Sequence, residues 1–540
     1  MPFPMQTPSP PPRATRGLPG TLRAILALAL GAAILAPMLT YPLGADHGCF
    51  ATVADVIARG GVPYRDAWDI KPPGVYYLFW ATFSAFGRSV FSIRLLDLLW
   101  TLAAAAALYL IARRLFSRQG GWASAFFFLV FYALGFDFWH TAQADGFGSL
   151  PLALAFLLAL VAEEKAARAP QAGKLLALCS GLLIGIAITL KFTLGAFLVV
   201  PLVLALSARQ PLAVRLARGA SYLLGSLLGP ALVALLMWKA GALRDMIYIV
   251  FTWNSQYGRI QAAGPELIVI PSRIARFHLG GGLLILKLIG LLCLVGLADA
   301  IIRRRSLARW WLLPLWWAVM VASVCVQGKY FAYHWLPVLP PLALLAGLGW
   351  AAAVRWAGRL AGGRRPAVIA GLLLILLGVF AQGYWAQFHR PIAYATRRLP
   401  AEQYLADFTA SGHYFSFPAD LALAQYLREN SPPNAPIFSW GLDALVYFLA
   451  DRPPASRFIQ DQPLLTPWSP PQWREELIRD LARNRPQFIL VAHNDIQPWV
   501  TLWNGDSASA LPYYPQLARL IVERYRLAAV VEDFEVWERK

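Results

Sequence analysis

The chain has 540 residues, of which 58% are hydrophobic and only 14% are charged. About a quarter of the residues of a soluble globular protein are charged, so this composition argues against a soluble fold. The net charge of +19 would suggest nucleic acid in a soluble protein, but the basic residues here lie beside apolar runs, where they act as topology signals.

Residues 1–21 are rich in proline and are predicted to be a disordered cytoplasmic tail that leads into a signal-anchor helix. Apolar runs close to the length of a membrane-spanning helix follow over nearly 400 residues. They predict an all-α polytopic membrane protein, and the aromatic stretch 75–87 is interpreted as an interfacial helix. About 11 spans are expected, near 22–41, 90–112, 120–137, 146–162, 174–190, 192–207, 217–238, 279–301, 309–326, 335–354 and 367–386.

The distribution of basic residues supports this topology. With the N-terminus inside, the short outer connections hold only Lys191 and Lys329, as the positive-inside rule requires. The sequence therefore predicts a multi-pass protein of the cell (inner or plasma) membrane, with the loop 42–89 and the C-terminal residues outside. The predicted cytoplasmic loops collect Arg13, Arg16, Arg23, Arg113, Arg114, Arg118, Lys165, Arg168, Lys174, Arg209, Arg215, Arg218, Arg303, Arg304, Arg305, Arg309, Arg355, Arg359, Arg364 and Arg365.

Residues 387–540 differ in character from the predicted membrane domain 22–386. Turn residues cluster, a helical pattern covers Arg474–Arg483, and strand-like runs appear at Ile437–Trp440, Phe488–Ala492 and Leu527–Val531. This alternation predicts a small extracytoplasmic α/β domain. It has no glycine-rich phosphate loop, so a structural or acceptor-facing cap is favoured over a second catalytic site.

The first outer loop carries four acids and a lysine: Asp46, Asp55, Asp66, Asp69 and Lys71. Residues 49–59 are expected to form a helix on the membrane surface. Lys71 is followed by Pro72 and Pro73, which hold the backbone extended.

Further polar residues reach the same side of the membrane under this topology. Acids and cations beside apolar surface suit an amphiphilic substrate with a phosphate head group, because a carboxylate can act as a general base and lysines can neutralise a phosphate. These residues are His140, Gln143, Asp145, Lys191, Trp253, Asn254, Tyr257, Arg259, Lys329, Tyr330, Tyr333 and His334.

In this order, the residues resemble the GT-C glycosyltransferases, in the branch of the protein O-mannosyltransferases and the lipid A aminoarabinose transferases. The family carries an aspartate after its first span, a Lys-Pro-Pro-hydrophobic-x-Tyr element, a later acid, a Leu-Thr-Lys junction and a His-Tyr-x-Leu-x-x-x-Pro element. The corresponding residues are Asp46, Lys71 to Tyr76, Asp145, Thr189 to Lys191 and His334 to Pro340.

The resemblance implies a role for each matching residue. Asp46 would be the general base in an inverting transfer from a polyprenyl-phosphate sugar to a lipid, glycan or protein acceptor, Lys71 would contact the donor phosphate, and Asp145 would orient the base or a metal. Lys191, Lys329 and His334 would be weaker phosphate or sugar contacts. The candidate substrate contacts are His47, Asp69, Tyr76, His140, Tyr257, Arg259 and Tyr333.

The sequence departs from the family at three positions, one of which is Gly74, where the family usually has a bulky residue. His47 follows Asp46 where an acid is common, and Ile70 separates Asp69 from Lys71. A divalent cation is therefore a candidate cofactor without an assigned ligand set.

Two other classes of function remain open at this point: a transporter or flippase, and a non-catalytic binder of lipid-linked sugars. The transferase hypothesis predicts that Asp46, Lys71 and Asp145 surround one cavity that opens to both lipid and water.

Overall fold

A computed structural model describes residues 20–166, 168–259, 282–304, 309–361, 364–410 and 414–540. Almost all of the predicted N-terminal tail lies outside these residues. The helices of the N-terminal region are α1 (Gly20–Leu35), α2 (Ala45–Ala58), α3 (Gly74–Phe86), α4 (Val90–Leu115), α5 (Arg118–Gly135), α6 (Ala144–Phe147), α7 (Ser149–Ala166), α8 (Pro170–Leu190), α9 (Val199–Leu206), α10 (Leu212–Lys239), α11 (Leu243–Ile247), α12 (Asn254–Arg259), α13 (Leu284–Ile302), α14 (Leu312–Gln327), α15 (Leu339–Leu360) and α16 (Arg365–Ala395).

Eight helical segments among the described residues are long and apolar enough to cross a membrane. The chain is thus a multi-pass helical membrane protein. The other three predicted spans fall on α5, which begins with polar Arg118 and Gln119, and on two shorter apolar helices, Phe192–Leu206 and Leu312–Gln327. The eight segments are Gly20–Thr40, Val90–Leu115, Ala144–Ala166, Pro170–Leu190, Leu212–Lys239, Leu284–Ile302, Ala332–Leu360 and Arg365–Ala395.

Small residues allow the spans to pack closely. A Cβ atom on Gly181 of α8 would lie 2.3 Å from the carbonyl oxygen of Tyr222 in α10, and one on Gly349 of α15 would lie 1.9 Å from that of Leu292 in α13. Close backbone approach of this kind favours helix association in membranes, where lipid provides no hydrophobic driving force between helices.

The first loop forms two helices, α2 and α3. The expected surface helix exists, but it begins at Ala45 and most of its side chains are buried. Helix α2 packs on α3 and on a helix of the C-terminal region, so the prediction that it lies on the membrane surface is wrong. The helix expected over 75–87 is α3, which starts directly after Pro73.

The C-terminal region, residues 396–540, contains a four-stranded sheet. The predicted boundary at residue 387 falls inside α16, which continues to Ala395. The strands are β1 (Ile437–Trp440), β2 (Phe488–Ala492), β3 (Tyr525–Val531) and β4 (Phe534–Arg539), in the order β1-β2-β4-β3. Strands β1 and β2 are parallel, and β4 is antiparallel to both β2 and β3. The helices are α17 (Ala401–Leu405), α18 (Phe417–Asn430), α19 (Leu445–Ala450), α20 (Gln462–Leu465), α21 (Gln472–Asn484), α22 (Pro498–Thr501), α23 (Ser507–Ala510) and α24 (Pro515–Arg524).

The predicted strands and the helix of this region are present. Strand β2 is buried at every position, which explains why its sequence is a continuous apolar run. Helix α21 buries Trp473, Leu477 and Leu481, which are four residues apart and form one helical stripe.

Candidate active site

A cavity of about 890 Å³ lies between the helix bundle and the C-terminal region. Ten of the thirteen predicted site residues line it. Part of its rim is apolar and exposed, with Phe251 50% and Val326 79% exposed. The ten residues are Asp46, Asp69, Lys71, His140, Lys191, Tyr257, Arg259, Lys329, Tyr333 and His334.

Asp46 lies in the first turn of α2, where the helix dipole favours a negative charge. Its Oδ1 is 3.8 Å from Lys71 Nζ, and Gln143 Nε2 donates to its Oδ2 at 3.4 Å. Burial raises the pKa of Asp46, but the Lys71 ammonium and a hydrogen bond from Tyr333 outweigh this effect and hold the pKa below its usual value. A carboxylate that stays ionised and faces the cavity can accept a proton.

Lys71 is held between aromatic rings. Its Nζ lies 5.9 Å from the centroid of Phe50 and 5.3 Å from that of Tyr333. Burial lowers the pKa of Lys71, but Asp46 and Asp69 outweigh burial and raise it. The ammonium therefore keeps its positive charge at the cavity wall.

Asp69 and Tyr76 support the Lys71 segment. Tyr76 donates its hydroxyl to Asp69 Oδ2 at 2.9 Å and lies 3.1 Å from the Lys71 carbonyl oxygen. Burial raises the pKa of Asp69 to about 6, against the opposing effect of Lys71. Asp69 reaches the cavity, whereas Tyr76 lies behind it.

His47 lies off the cavity wall and is fully buried. The Gly44 backbone N–H donates to its Nδ1 at 3.0 Å, and its Nε2 lies 2.7 Å from the Thr141 carbonyl oxygen. Because Nδ1 accepts, Nε2 must carry the hydrogen and donate it. Burial and the nearby Arg94 lower the pKa of His47 to about 3. The neutral ring joins the start of α2 to the loop before Asp145.

Asp145 and Lys191 form a buried ion pair. Lys191 Nζ is 3.1 Å from Asp145 Oδ2, and the two residues are 7% and 1% exposed, respectively. Lys191 lines the cavity, whereas Asp145 lies behind it. Asp145 Oδ1 has no hydrogen-bond partner among the described residues.

The remaining predicted residues form the far side of the cavity. Lys329 Nζ lies 3.7 Å from the centroid of Tyr257 and donates to the Trp499 carbonyl oxygen at 2.9 Å. His140 Nδ1 is 2.7 Å from Asp137 Oδ1. Arg259 is at the exposed end of α12. His334 Nδ1 is buried without a partner in the described part of the chain.

Sequence reasoning missed the wall that the C-terminal region contributes. Tyr414, Gln460, Gln462, Gln497 and Trp499 line the cavity. They are separated by more than 250 residues from Asp46 and carry no motif, so the sequence offers no signal that would place them there.

A metal site is not evident in the described ranges, where no three His, Cys, Asp or Glu side chains come together as ligands. Asp145 is paired with Lys191 and His47 uses both ring nitrogens within the protein. Within the described residues, no ligand set for a divalent cation therefore assembles around Asp46.

The comparisons with known proteins concern the family and the fold. The family model "Dolichyl-phosphate-mannose-protein mannosyltransferase" matches residues 70–238. No curated protein matches the sequence.

Two solved enzymes share the fold. ArnT from Cupriavidus metallidurans bound to undecaprenyl phosphate has a TM-score of 0.59 at 14% identity, covering 96% of this chain and 98% of that chain. The Archaeoglobus fulgidus oligosaccharyltransferase tethered with an acceptor peptide has a TM-score of 0.53 at 12% identity, covering 96% and 74%.

The chain thus has the fold of the GT-C membrane glycosyltransferases. Within that class it resembles the branch of ArnT and the protein mannosyltransferases.

Proposed function

We propose that the protein is a polyprenyl-phosphate-dependent glycosyltransferase in which Asp46 is the general base. The observation that carries this proposal is the pairing of an ionised carboxylate with Lys71, 3.8 Å away, on the wall of one cavity. A direct displacement at an anomeric carbon needs a base for the acceptor hydroxyl and a cation for the leaving phosphate, and one cavity offers both here.

In the proposed reaction the acceptor hydroxyl attacks the anomeric carbon of the donor sugar. The hydroxyl proton passes to Asp46, a bond forms between the acceptor oxygen and the anomeric carbon, and the bond from that carbon to the phosphate oxygen breaks. The polyprenyl phosphate leaves with the electron pair, and Lys71 stabilises its charge. A single displacement inverts the anomeric configuration.

The exposed apolar rim supports a lipid donor. Phe251 and Val326 flank the cavity and present apolar surface, so a polyprenyl chain can stay in the membrane while its phosphate reaches Lys71. We place the cavity and the C-terminal region on the outer face of the cell membrane, because the positive-inside rule assigns the arginine-rich loops to the cytoplasmic side.

Lys191, Lys329 and His334 are proposed to bind the phosphate or the sugar. Lys191 is oriented by Asp145, which is itself too far behind the wall to line the cavity. Asp145 is therefore proposed to act through Lys191.

The test is the substitution Asp46→Asn in the full-length protein, reconstituted with a lipid extract that contains undecaprenyl-phosphate-linked sugars. Mass spectrometry of released undecaprenyl phosphate measures transfer. Loss of a general base lowers turnover about 10²–10⁴-fold, while binding of undecaprenyl phosphate persists. Asp66→Asn, an acid of the same loop that lies off the cavity, is the matched control and should leave turnover unchanged.

Lys71→Ala tests the phosphate contact. It should weaken binding of undecaprenyl phosphate, whereas Lys239→Ala, at the exposed end of α10, should not. Full turnover in Asp46→Asn would refute the base assignment, and unchanged undecaprenyl phosphate affinity in Lys71→Ala would refute the phosphate contact.

A further inference from the structure

The C-terminal region contributes one wall of the cavity. We give the name acceptor wall to six of its residues, Tyr414, Leu442, Gln460, Gln462, Gln497 and Trp499; Asp407, Thr409, Ala410 and Val500 of the same region also line the cavity. We propose that the acceptor wall binds a neutral carbohydrate, so that the acceptor hydroxyl belongs to a glycan. This inference rests on the proposed function and names its acceptor class.

Aromatic rings form a strip across this side of the cavity. The rings of Trp139 and Tyr414 are 6.3 Å apart at 77°, and those of Tyr414 and Trp499 are 5.3 Å apart at 82°. All three side chains are half-buried and line the cavity. The negative face of an aromatic ring attracts positively polarised hydrogens, and the C–H face of a sugar ring offers a flat array of them.

Side-chain amides surround the strip. Gln460 and Gln462 are 8% and 4% exposed, and they join only through a long hydrogen bond of 3.5 Å from Gln460 Nε2 to Gln462 Oε1. Within the described residues, the Gln462 amide nitrogen donates no hydrogen bond. An amide both donates and accepts, which matches sugar hydroxyls, and an amide nitrogen with unused hydrogens at a cavity wall favours a ligand that accepts from it.

The charge of the cavity argues against a phosphorylated acceptor. Among the described residues, four Asp side chains balance the four Lys and Arg side chains that line it, and these four cations, Lys71, Lys191, Arg259 and Lys329, come from the N-terminal region. Within the described residues, the acceptor wall contributes no Lys, Arg or His. The donor phosphate already adds a negative charge, and Lys329, which donates to the Trp499 carbonyl oxygen, is the one cation placed at the acceptor wall among the described residues. A second phosphate would have to compete with the donor phosphate for it.

The backbone argues against a peptide acceptor. Extended peptides are commonly bound by addition to a sheet edge, but the outer edge of β1 already bonds to residues 453–455 through Ile437. At the cavity, the Trp499 carbonyl oxygen accepts from Lys329 and the Gln497 carbonyl oxygen accepts from the Val500 N–H. The wall thus offers amides and rings, and these two backbone carbonyl oxygens are already bonded within the protein.

The experiment uses the labelled full-length protein in lipid nanodiscs. It is applied to an array of neutral and acidic oligosaccharides, Ser- and Thr-containing peptides, and diphosphorylated lipid A, and the strongest neutral oligosaccharide is then titrated. Trp499→Ala and Gln462→Leu should each weaken that binding about tenfold, which corresponds to about 1.4 kcal/mol. The control Tyr513→Ala removes an exposed ring of the same region that lies off the cavity and should leave affinity unchanged.

A second arm separates this inference from the proposed function. Undecaprenyl phosphate should bind with equal affinity to the wild type and Trp499→Ala, and thermal unfolding confirms that both variants of the wall are folded. The proposal of a glycan acceptor is overturned if the array shows binding of peptide or lipid A in place of oligosaccharides, or no binding at all. This holds even if undecaprenyl phosphate binds through Lys71. If undecaprenyl phosphate does not bind but oligosaccharides bind in a way that depends on Trp499, the donor assignment alone is overturned.

Discussion

His47 provides a quantitative test of how the base is positioned. His47→Leu removes two buried hydrogen bonds, to the Gly44 N–H and from the ring Nε2–H to the Thr141 carbonyl oxygen. A buried group left unsatisfied costs about 1–3 kcal/mol, so the variant should lose about 2–6 kcal/mol of unfolding free energy. His47→Asn can keep only the bond to Gly44, and His47→Gln only the bond to Thr141, so each should lose about half as much.

The pH dependence of the same variants gives a second magnitude. The pKa of His47 is about 3 in the folded protein and 6.5 in its ordinary state, so the unfolded chain binds the extra proton. Stability from this residue is therefore full above pH 6.5 and is lost as the pH falls towards 3. At pH 5 the wild type should have lost about 2 kcal/mol, a loss that His47→Gln does not share.

Denaturant titration in mixed micelles measures these free energies, and turnover at saturating donor measures the effect on Asp46. His389→Leu, an exposed histidine of α16, is the control. The reasoning is refuted if His47→Leu keeps wild-type stability, or if His47→Gln raises the KM for the donor without changing stability, since the ring would then be a substrate contact.

Three further predictions concern the other charged residues. Asp145→Asn leaves the buried Lys191 ammonium unpaired and should lower the free energy of unfolding by about 3–5 kcal/mol. The double variant Asp145→Leu with Lys191→Met should recover much of this loss in the same titration. Equal losses in the two variants would contradict the ion pair. Burial raises the pKa of Asp69 to about 6, so the folded protein holds more protons than the unfolded chain between about pH 4 and 6, and stability should fall by about 3 kcal/mol as the pH rises through that window. Asp69→Asn should remove this dependence of stability on pH. An unchanged dependence in the variant would argue against the raised pKa of Asp69. Burial lowers the pKa of Lys329 to about 8, so affinity for undecaprenyl phosphate should decline between pH 7 and 9 in the wild type but not in Lys329→Gln, and a flat wild-type profile would exclude the contact.

The architecture follows from signals that are local in the sequence. Long apolar runs and loop arginines identify spans because a bilayer demands both, and the buried strands β1 and β2 are apolar at nearly every position. Strand β4 was missed because Glu535, Glu538 and Arg539 interrupt its apolar residues. Its pairing with β2 and β3 stabilises a strand that its own sequence pattern does not predict.

The site was predictable where its residues are close in sequence, and not elsewhere. Asp46 and Lys71 belong to one loop, and their chemistry is complementary. His47 was placed among the substrate contacts because it adjoins Asp46, yet consecutive residues of a helix point about 100° apart, so one faces the cavity and the other the protein interior. The glutamines of the acceptor wall depend on how a distant region docks, which a single sequence does not reveal.

The contact between α2 and α19 has a consequence for engineering. A Cβ atom on Gly48 would lie 2.7 Å from the Leu445 backbone, and Thr52 donates to the Ala444 carbonyl oxygen at 2.9 Å. The two helices are in close contact at Gly48, and Asp46 lies two residues before it in the same helix. A chimera that exchanges the C-terminal region for that of a relative must therefore exchange residues 45–58 as well, and these two segments should be inherited together.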